Sequence, residues 1–397
     1  LQIETRFCVF WSLMDHLPQP YFETPAMTPE AFLRDRENWV LLDVRAPGEF
    51  AEGHIPGALS CPVLDDDERH QVGLTYKRRG QQAAIDLGTQ LVWEKRAARA
   101  ADWLAAARKI QPQHKFMGKI LVSCWRGGLR SQLAASWLAE LLAANPEQNV
   151  EVVRLTGGYK GLRGLLLEKI AAPHRMDVLT GMTGAGKTIL LHELLADPDF
   201  ESNRVVDLEG MARHRGSSFG HAVGADGQRV AQPSQQTFEN ELGLLLFDGA
   251  KGRLIVEDES TMIGRVSIPD SFRGQMRVAP LVVLEATLRE RAEAIYDDYV
   301  TRPLDGGCSV ADLWAVLGEN IRVLERRLGG KNTADALKFL EDGRDTPRDF
   351  DRQASWIELL LEHYYDLAYS RSTQLAERNV VFSGDRRACH QFLRGLK

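Results

Sequence analysis

Apolar residues follow two rhythms along this chain. Short unbroken runs, Val40–Val44, Ile120–Val122, Met176–Thr180 and Leu281–Leu284, read as buried strands. Val205–Leu208, Leu254–Val256 and Asn379–Ser383 add three more of the same kind. Elsewhere the apolar positions recur at helical spacing. Leu133, Ala134, Trp137, Leu138 and Leu141 follow Ser131, which is predicted to open a helix, and Ile189, Leu190, Leu191, Leu194 and Leu195 follow Thr188. Gln232–Leu246 reads as an amphipathic helix, and residues 309–377 are mostly helical, with Arg322, Arg326, Arg327 and Lys331 forming a basic face. Thr28-Pro29-Glu30 is a helix start, with Thr28 as the cap and Pro29 at the first helical position.

Two junctions in this pattern carry chemistry. At the first, the strand Ile120–Val122 runs into Ser-Cys124-Trp-Arg126-Gly127-Gly128-Leu-Arg130-Ser131. Gly127 and Gly128 permit a tight turn with amides facing inward. Loop amides, a helix N-terminus, Arg126 and Arg130 all favour thiolate over thiol at Cys124, and thiolate is the nucleophile. The same cup suits an anion beside the sulfur. A lone cysteine at a strand end is more often structural, but two glycines, two arginines and a helix start in register favour a reactive one.

At the second junction, Met176–Thr180 leads into Gly181-Met-Thr183-Gly184-Ala185-Gly186-Lys187-Thr188 and then a helix. This is Gly-x-x-x-x-Gly-Lys-Thr in its strand–loop–helix context. The residues Gly181 to Thr188 are predicted to wrap a phosphate or diphosphate, with Lys187 as cation and Thr188 able to ligate Mg²⁺. Downstream, Arg213, His214, Arg215 and Ser217 lie in a glycine-flanked polar loop, expected beside the phosphate site. Leu254-Ile-Val-Glu257-Asp258-Glu-Ser260 ends a strand in acids. Glu257 and Asp258 are the candidates for holding a metal-bound water, with a cap or an arginine pair, such as one with Arg213, as the structural alternative.

The 397 residues suffice for two or three domains. Hydrophobic residues make up 44% and charged ones 26%, the balance of a soluble globular chain. A net charge of −6 argues against a general nucleic-acid coat, though not against a local basic groove. Five scattered cysteines without Cys-x-x-Cys or His/Cys spacing signal neither a disulfide frame nor a zinc site and fit the cytoplasm. Phe7–Leu13 lacks the length and cleavage pattern of a signal peptide, and no run is long enough to span a bilayer. Met14-Asp15 is a candidate start, which would make the residues before it an upstream extension.

Asp43-Val-Arg45, Glu49-Phe-Ala-Glu-Gly-His54-Ile-Pro-Gly-Ala58, the Cys124 loop and Leu155-Thr-Gly-Gly-Tyr-Lys-Gly-Leu-Arg163 together resemble a rhodanese domain, over about residues 28–170. Asp43, Arg45 and Glu49 are expected to brace loops, and His54 to pin its own. The resemblance implies a small α/β domain with a parallel sheet, whose cysteine carries sulfur or selenium. Residues 65–117 exceed what such a domain needs. They read as a helical insertion carrying Lys77, Arg78 and Arg79, either a solvated surface or an arm for a polyanion. Ala172-Pro-His174 marks a junction. The expected division is an extension over 1–27, the rhodanese-like domain over 28–172 and a P-loop α/β domain over 173–397 with a helical C-terminal part.

The whole combination, including Tyr76-Lys-Arg-Arg-Gly80 and Asp207-Leu-Glu-Gly-Met-Ala-Arg-His-Arg-Gly-Ser-Ser-Phe-Gly220, resembles the tRNA 2-selenouridine synthases. That resemblance implies exchange of sulfur for selenium in wobble 2-thiouridine of tRNA. Geranyl diphosphate first alkylates the sulfur, and selenophosphate, made by a selenophosphate synthase, then supplies selenium. It implies Cys124 in selenium delivery, with Arg126, Gly127, Gly128 and Arg130 holding selenophosphate. It further implies Gly181–Thr188 on the diphosphate, and Lys77, Arg78, Arg79, Arg213 and Arg215 on tRNA phosphates. No tightly bound cofactor is expected, and the sequence does not locate the apolar pocket a geranyl chain needs. Two other readings stand beside it: an ATP-dependent sulfurtransferase acting on RNA or a carrier protein, and a nucleotide-gated binding module with an inert rhodanese fold.

Overall fold

The computed structural model describes residues 22–110, 117–200, 204–214, 231–248, 252–373 and 377–396. The chain divides into two units, Leu1–Glu168 and Lys169–Lys397. Among the described residues each contains a five-stranded sheet in which every neighbouring pair is parallel.

In the first unit the strands are β1 (Ala26–Met27), β2 (Val40–Asp43), β3 (Leu59–Ser60), β4 (Lys119–Ser123) and β5 (Glu151–Leu155), in the order β1-β5-β4-β2-β3. The sheet is covered on both faces, so its central strands must be apolar throughout rather than alternating. Ile120, Leu121 and Val122 of β4 accordingly have no exposed surface. Helix Arg96–Arg108 turns Ala100, Trp103, Leu104 and Ala107 inward and packs on helix Leu129–Ala143. Trp103 and Trp137 stack there, with centroids 6.1 Å apart. That second helix starts at Leu129, two residues before the predicted Ser131, because Gly128 already caps it.

The predicted insertion forms helices Asp66–Val92 and Arg96–Arg108; residues 111–116 lie outside the description. Asp65 and Glu68 close a reciprocal capping box at the start of the first. Gly80, at φ +87°, breaks that helix just after the exposed Lys77, Arg78 and Arg79.

In the second unit β6 (Met176–Thr180), β7 (Val205–Val206), β8 (Leu254–Glu257), β11 (Leu281–Leu284) and β12 (Val380–Gly384) lie in the order β12-β11-β6-β8-β7. A small antiparallel pair, β9 (Met262–Ile263) and β10 (Val266–Ser267), follows β8. Residues 309–373 form helices with a separate core that includes Trp314, Leu317, Ile321, Trp356 and Ile357. The amphipathic helix predicted at Gln232–Leu246 is Gln235–Phe247, capped by Ser234. Strand β6 is central, flanked by β8 and β11, so the loop after it opens at the carboxyl ends of three parallel strands. Open α/β sheets bind ligands there.

Candidate functional site

Each unit carries one candidate centre, and each grows from a central strand. In the first, β4 ends at Ser123 and Cys124 begins the loop. The loop's shape is fixed from outside. The amides of Tyr159 and Lys160, at the start of helix Gly158–Ala171, donate to the carbonyls of Cys124 and Trp125 at 2.8 and 2.9 Å. The backbones meet so closely that a Cβ on Gly158 would lie 2.1 Å from the Cys124 carbonyl oxygen. One on Gly127 would lie 2.6 Å from that of Leu155. The glycines of the two motifs are therefore mutual clearances.

Cys124 Sγ lies 3.3 Å from Ser131 Oγ, whose hydroxyl donates to the Gly128 carbonyl at 2.9 Å. The residue is only 3% exposed, so the sulfur sits covered at the base of its loop, not at the surface as an open carrier thiol would. Arg130 is half-buried and pairs with Glu49 at 2.5 Å. Burial opposes its charge, but Glu49 and, after it, Cys124 outweigh burial and hold Arg130 firmly cationic. Arg126 is exposed and Gly127 and Gly128 are half-buried.

The neighbouring motif residues are braces. Buried Arg45 forms a two-pronged pair with Asp43, donates to the Gly53 carbonyl and lies 3.8 Å from the Tyr159 ring centroid. His54 stacks on Phe50, its Nδ1 lying 3.1 Å from the Phe50 carbonyl oxygen. Burial pushes the Cys61 thiol in this unit's core up to about 12.

In the second unit the loop after β6 has the shape its glycines predict. Gly184 and Gly186 stand at φ +82° and +91°, and a Cβ on Gly181 would meet the Leu284 carbonyl oxygen at 2.7 Å. Gly186 caps helix Lys187–Ala196, whose first amides are the anion donors of such a loop. Thr183, Gly184, Gly186, Lys187 and Thr188 line a cleft of about 1270 Å³, while Ala185 is buried beneath. Lys187 Nζ donates to the Gly181 carbonyl at 3.2 Å. Burial works against its charge, but Glu257, Glu259, Glu209 and Asp258 overcome this and raise its pKa.

The two predicted acids separate. Asp258 accepts from Thr180 Oγ1 at 2.7 Å and pairs with Arg378, not Arg213, so it ties β8 to β6. Glu257 lines the cleft and accepts from Thr188 Oγ1 at 3.2 Å, while its Oε2 is buried without a hydrogen bond among the described residues. Sequence reasoning missed its two companions. Ligand oxygens of Glu209, Glu257 and Glu259 lie within 4.8 Å of one another. Burial, then repulsion from Glu209, pushes Glu259 up to about 8 and Glu257 well above the ordinary range. An orphaned buried oxygen and crowded carboxylates beside a P-loop threonine fit a divalent cation. The spacing argument against a zinc site concerned His and Cys alone; the signal for these oxygens was the acids within Asp207-Leu-Glu209-Gly and Glu257-Asp-Glu259.

A further residue absent from the prediction, Arg291, is 3% exposed, donates from Nε to the Thr183 carbonyl at 2.8 Å and pairs with Asp366. It thereby clamps the phosphate loop to the helical region. Arg213, in the left-handed region at φ +49°, and His214 line the same cleft; Arg215 and the loop to Gly220 lie outside the described residues. Lys77, Arg78 and Arg79 belong to the first unit and are not part of this cleft.

Comparison with known proteins finds a match for each unit. Residues 29–164 match the rhodanese-like domain and residues 174–397 match the tRNA 2-selenouridine synthase AAA domain. A tRNA 2-selenouridine synthase from Cupriavidus necator is 39% identical over 371 residues, covering 89% of this chain and 94% of the relative. One from Aeromonas salmonicida is 39% identical, covering 89% and 92%, and one from Shewanella frigidimarina 34%, covering 90% and 94%. Matched over nearly its full length by these relatives, and over residues 174–397 by the family's own domain, the chain belongs to the tRNA 2-selenouridine synthase family.

Proposed function

We infer that this protein is a tRNA-modifying transferase that exchanges the sulfur of wobble 2-thiouridine for selenium. The observation that carries the reading is the pairing, in one chain of this family, of a cradled cysteine with a P-loop whose lysine is ringed by carboxylates.

The chemistry proceeds in two stages. The thiocarbonyl sulfur attacks the allylic carbon of geranyl diphosphate; the C–S bond forms, the C–O bond breaks, and pyrophosphate leaves. Gly181–Thr188 grip that diphosphate, and Lys187 neutralises charge as it develops on the leaving group. A divalent cation held by Glu209, Glu257, Glu259 and Thr188 would shield the diphosphate. The selenium of selenophosphate then adds to C2 of the base, the C2–S bond breaks and the geranylated sulfur departs as the thiol, and water cleaves the Se–P bond to release phosphate, with Cys124 acting in this delivery stage. A thiocarbonyl sulfur is a poor leaving group, whereas an S-alkyl thiol leaves readily from a tetrahedral centre. Arg126, Arg130 and the Gly127 and Gly128 amides hold the selenophosphate anion. Lys77, Arg78, Arg79, Arg213 and Arg215 supply tRNA phosphate contacts. A selenophosphate synthase is the source of the selenium donor. Among the described residues no helix is long and apolar enough to cross a membrane.

The test is nucleoside analysis of 2-thiouridine tRNA incubated with the protein, geranyl diphosphate and selenophosphate, each omitted in turn. Selenouridine should form only with both, and S-geranyl-2-thiouridine should accumulate without selenophosphate. Selenation independent of geranyl diphosphate, or ATP turnover coupled to thiolation, would replace this reading with the sulfurtransferase one.

A further inference from the structure

A second, apolar slot opens off the phosphate cleft. Thr183, Ile295, Tyr299 and Tyr365 line both. Deeper in, the slot is walled by Trp356, Ile357 and Leu361, each no more than 1% exposed. The Trp356 indole N–H is engaged with Gln353 Oε1 at 3.1 Å, so the indole offers the slot only carbon. Two π-helical turns flank it: Asp297–Thr301 carries Tyr299, and Leu361–Tyr365 carries Leu361 and Tyr365. The helices that contain these turns pack on each other. Such turns are rare and recur at functional sites, because they re-aim side chains at the cost of regular hydrogen bonding.

We propose that this slot receives the hydrocarbon tail of an isoprenoid diphosphate whose phosphates lie on Gly181–Thr188. This deepens the reading given above and rests on it. The shared rim makes anion grip and apolar slot continuous, which suits a ligand with a charged head and a short greasy tail. A nucleoside does not fit this chemistry: its base edges and ribose hydroxyls need hydrogen-bonding partners, and burying them against Ile357, Leu361 and the Trp356 carbons leaves them unpaired. The slot now holds about 30 Å³, roughly the share of one liquid water. Entry of a tail therefore needs Tyr299 and Tyr365, both half-buried at the rim, to move aside.

The full-length protein should bind geranyl diphosphate at least about tenfold tighter than inorganic pyrophosphate, since each buried methylene is worth about fourfold in affinity. Ile357→Phe, which adds bulk in the slot at a residue outside the phosphate cleft, should erase that preference while leaving pyrophosphate affinity within about twofold, because the head group is held elsewhere. As a second measure that spares the fold, geranyl diphosphate but not pyrophosphate should shift tryptophan emission, and Trp356→Phe should remove the shift. Absence of any geranyl diphosphate binding by the parent would overturn the proposed function itself. Binding no tighter than pyrophosphate, or a preference and emission shift that survive both substitutions, would overturn the slot and leave the function standing.

Discussion

Gly158→Ala tests whether the cysteine loop owes its shape to the neighbouring glycine turn. Gly158 stands at φ +58°, where an L side chain costs about 1–2 kcal/mol. The new Cβ would sit 2.1 Å from the Cys124 carbonyl oxygen and 2.4 Å from the Gly127 nitrogen, so backbone must move by about 1 Å to restore ordinary contact. That shift breaks the Tyr159 and Lys160 amide bonds to the loop, each worth about 1 kcal/mol net. The sum is about 3–4 kcal/mol, enough to displace the loop even where the sheet survives. Gly164→Ala is the control: it lies in the same helix, meets nothing within 4 Å, and should be neutral or stabilising by up to about 1 kcal/mol. The assay pairs urea denaturation with selenium transfer to S-geranylated tRNA, scored per folded molecule. Gly158→Ala should unfold at lower urea and lose most transfer, while geranylation by the P-loop unit persists. Parent-like stability and transfer in Gly158→Ala would refute the argument that backbone clearance sets the loop.

Cys124→Ala should abolish selenation and leave geranylation largely intact, read by nucleoside analysis; loss of both in a folded variant would break the division of labour between the units. Glu257→Gln should weaken Mg²⁺ binding at least tenfold by isothermal titration, because it removes a charge from the crowded triad and leaves the Thr188 hydroxyl bond possible. Alkylation of the native protein should spare Cys61 and Cys389 at neutral pH. Burial raises their thiols to about 12 and 11, so the reactive thiolate forms only as pH approaches those values, and modification should climb about tenfold per pH unit up to them. Ready labelling of either at pH 7 by peptide mapping would contradict their packing.

Much of this was legible in the sequence because it was local. Apolar runs marked β2, β4, β6 and β11, and glycine spacing marked both loops, since backbone conformation at those points admits few other residues. What escaped was set by distant contacts. Asp258 and Glu257 are adjacent in sequence but alternate about the strand, so one meets Thr180 and Arg378 and the other Thr188. Glu209 comes from a different element altogether, and only folding brings it to them. Arg291 is one charge among several along its helix, and only its bond to the distant Thr183 carbonyl sets it apart. The cover over Cys124 likewise depends on packing that no motif spells out.

The lengths of the outermost strands carry a consequence of their own. Among the described residues β1, β3 and β7 are two residues long, too short to recruit a stray chain. The remaining border, β12, runs five residues and leaves Val380 and Val381 more than two-fifths open to water. Under heat or crowding, aggregation of this protein should nucleate along that single seam, and a lysine in place of Val381 should delay it.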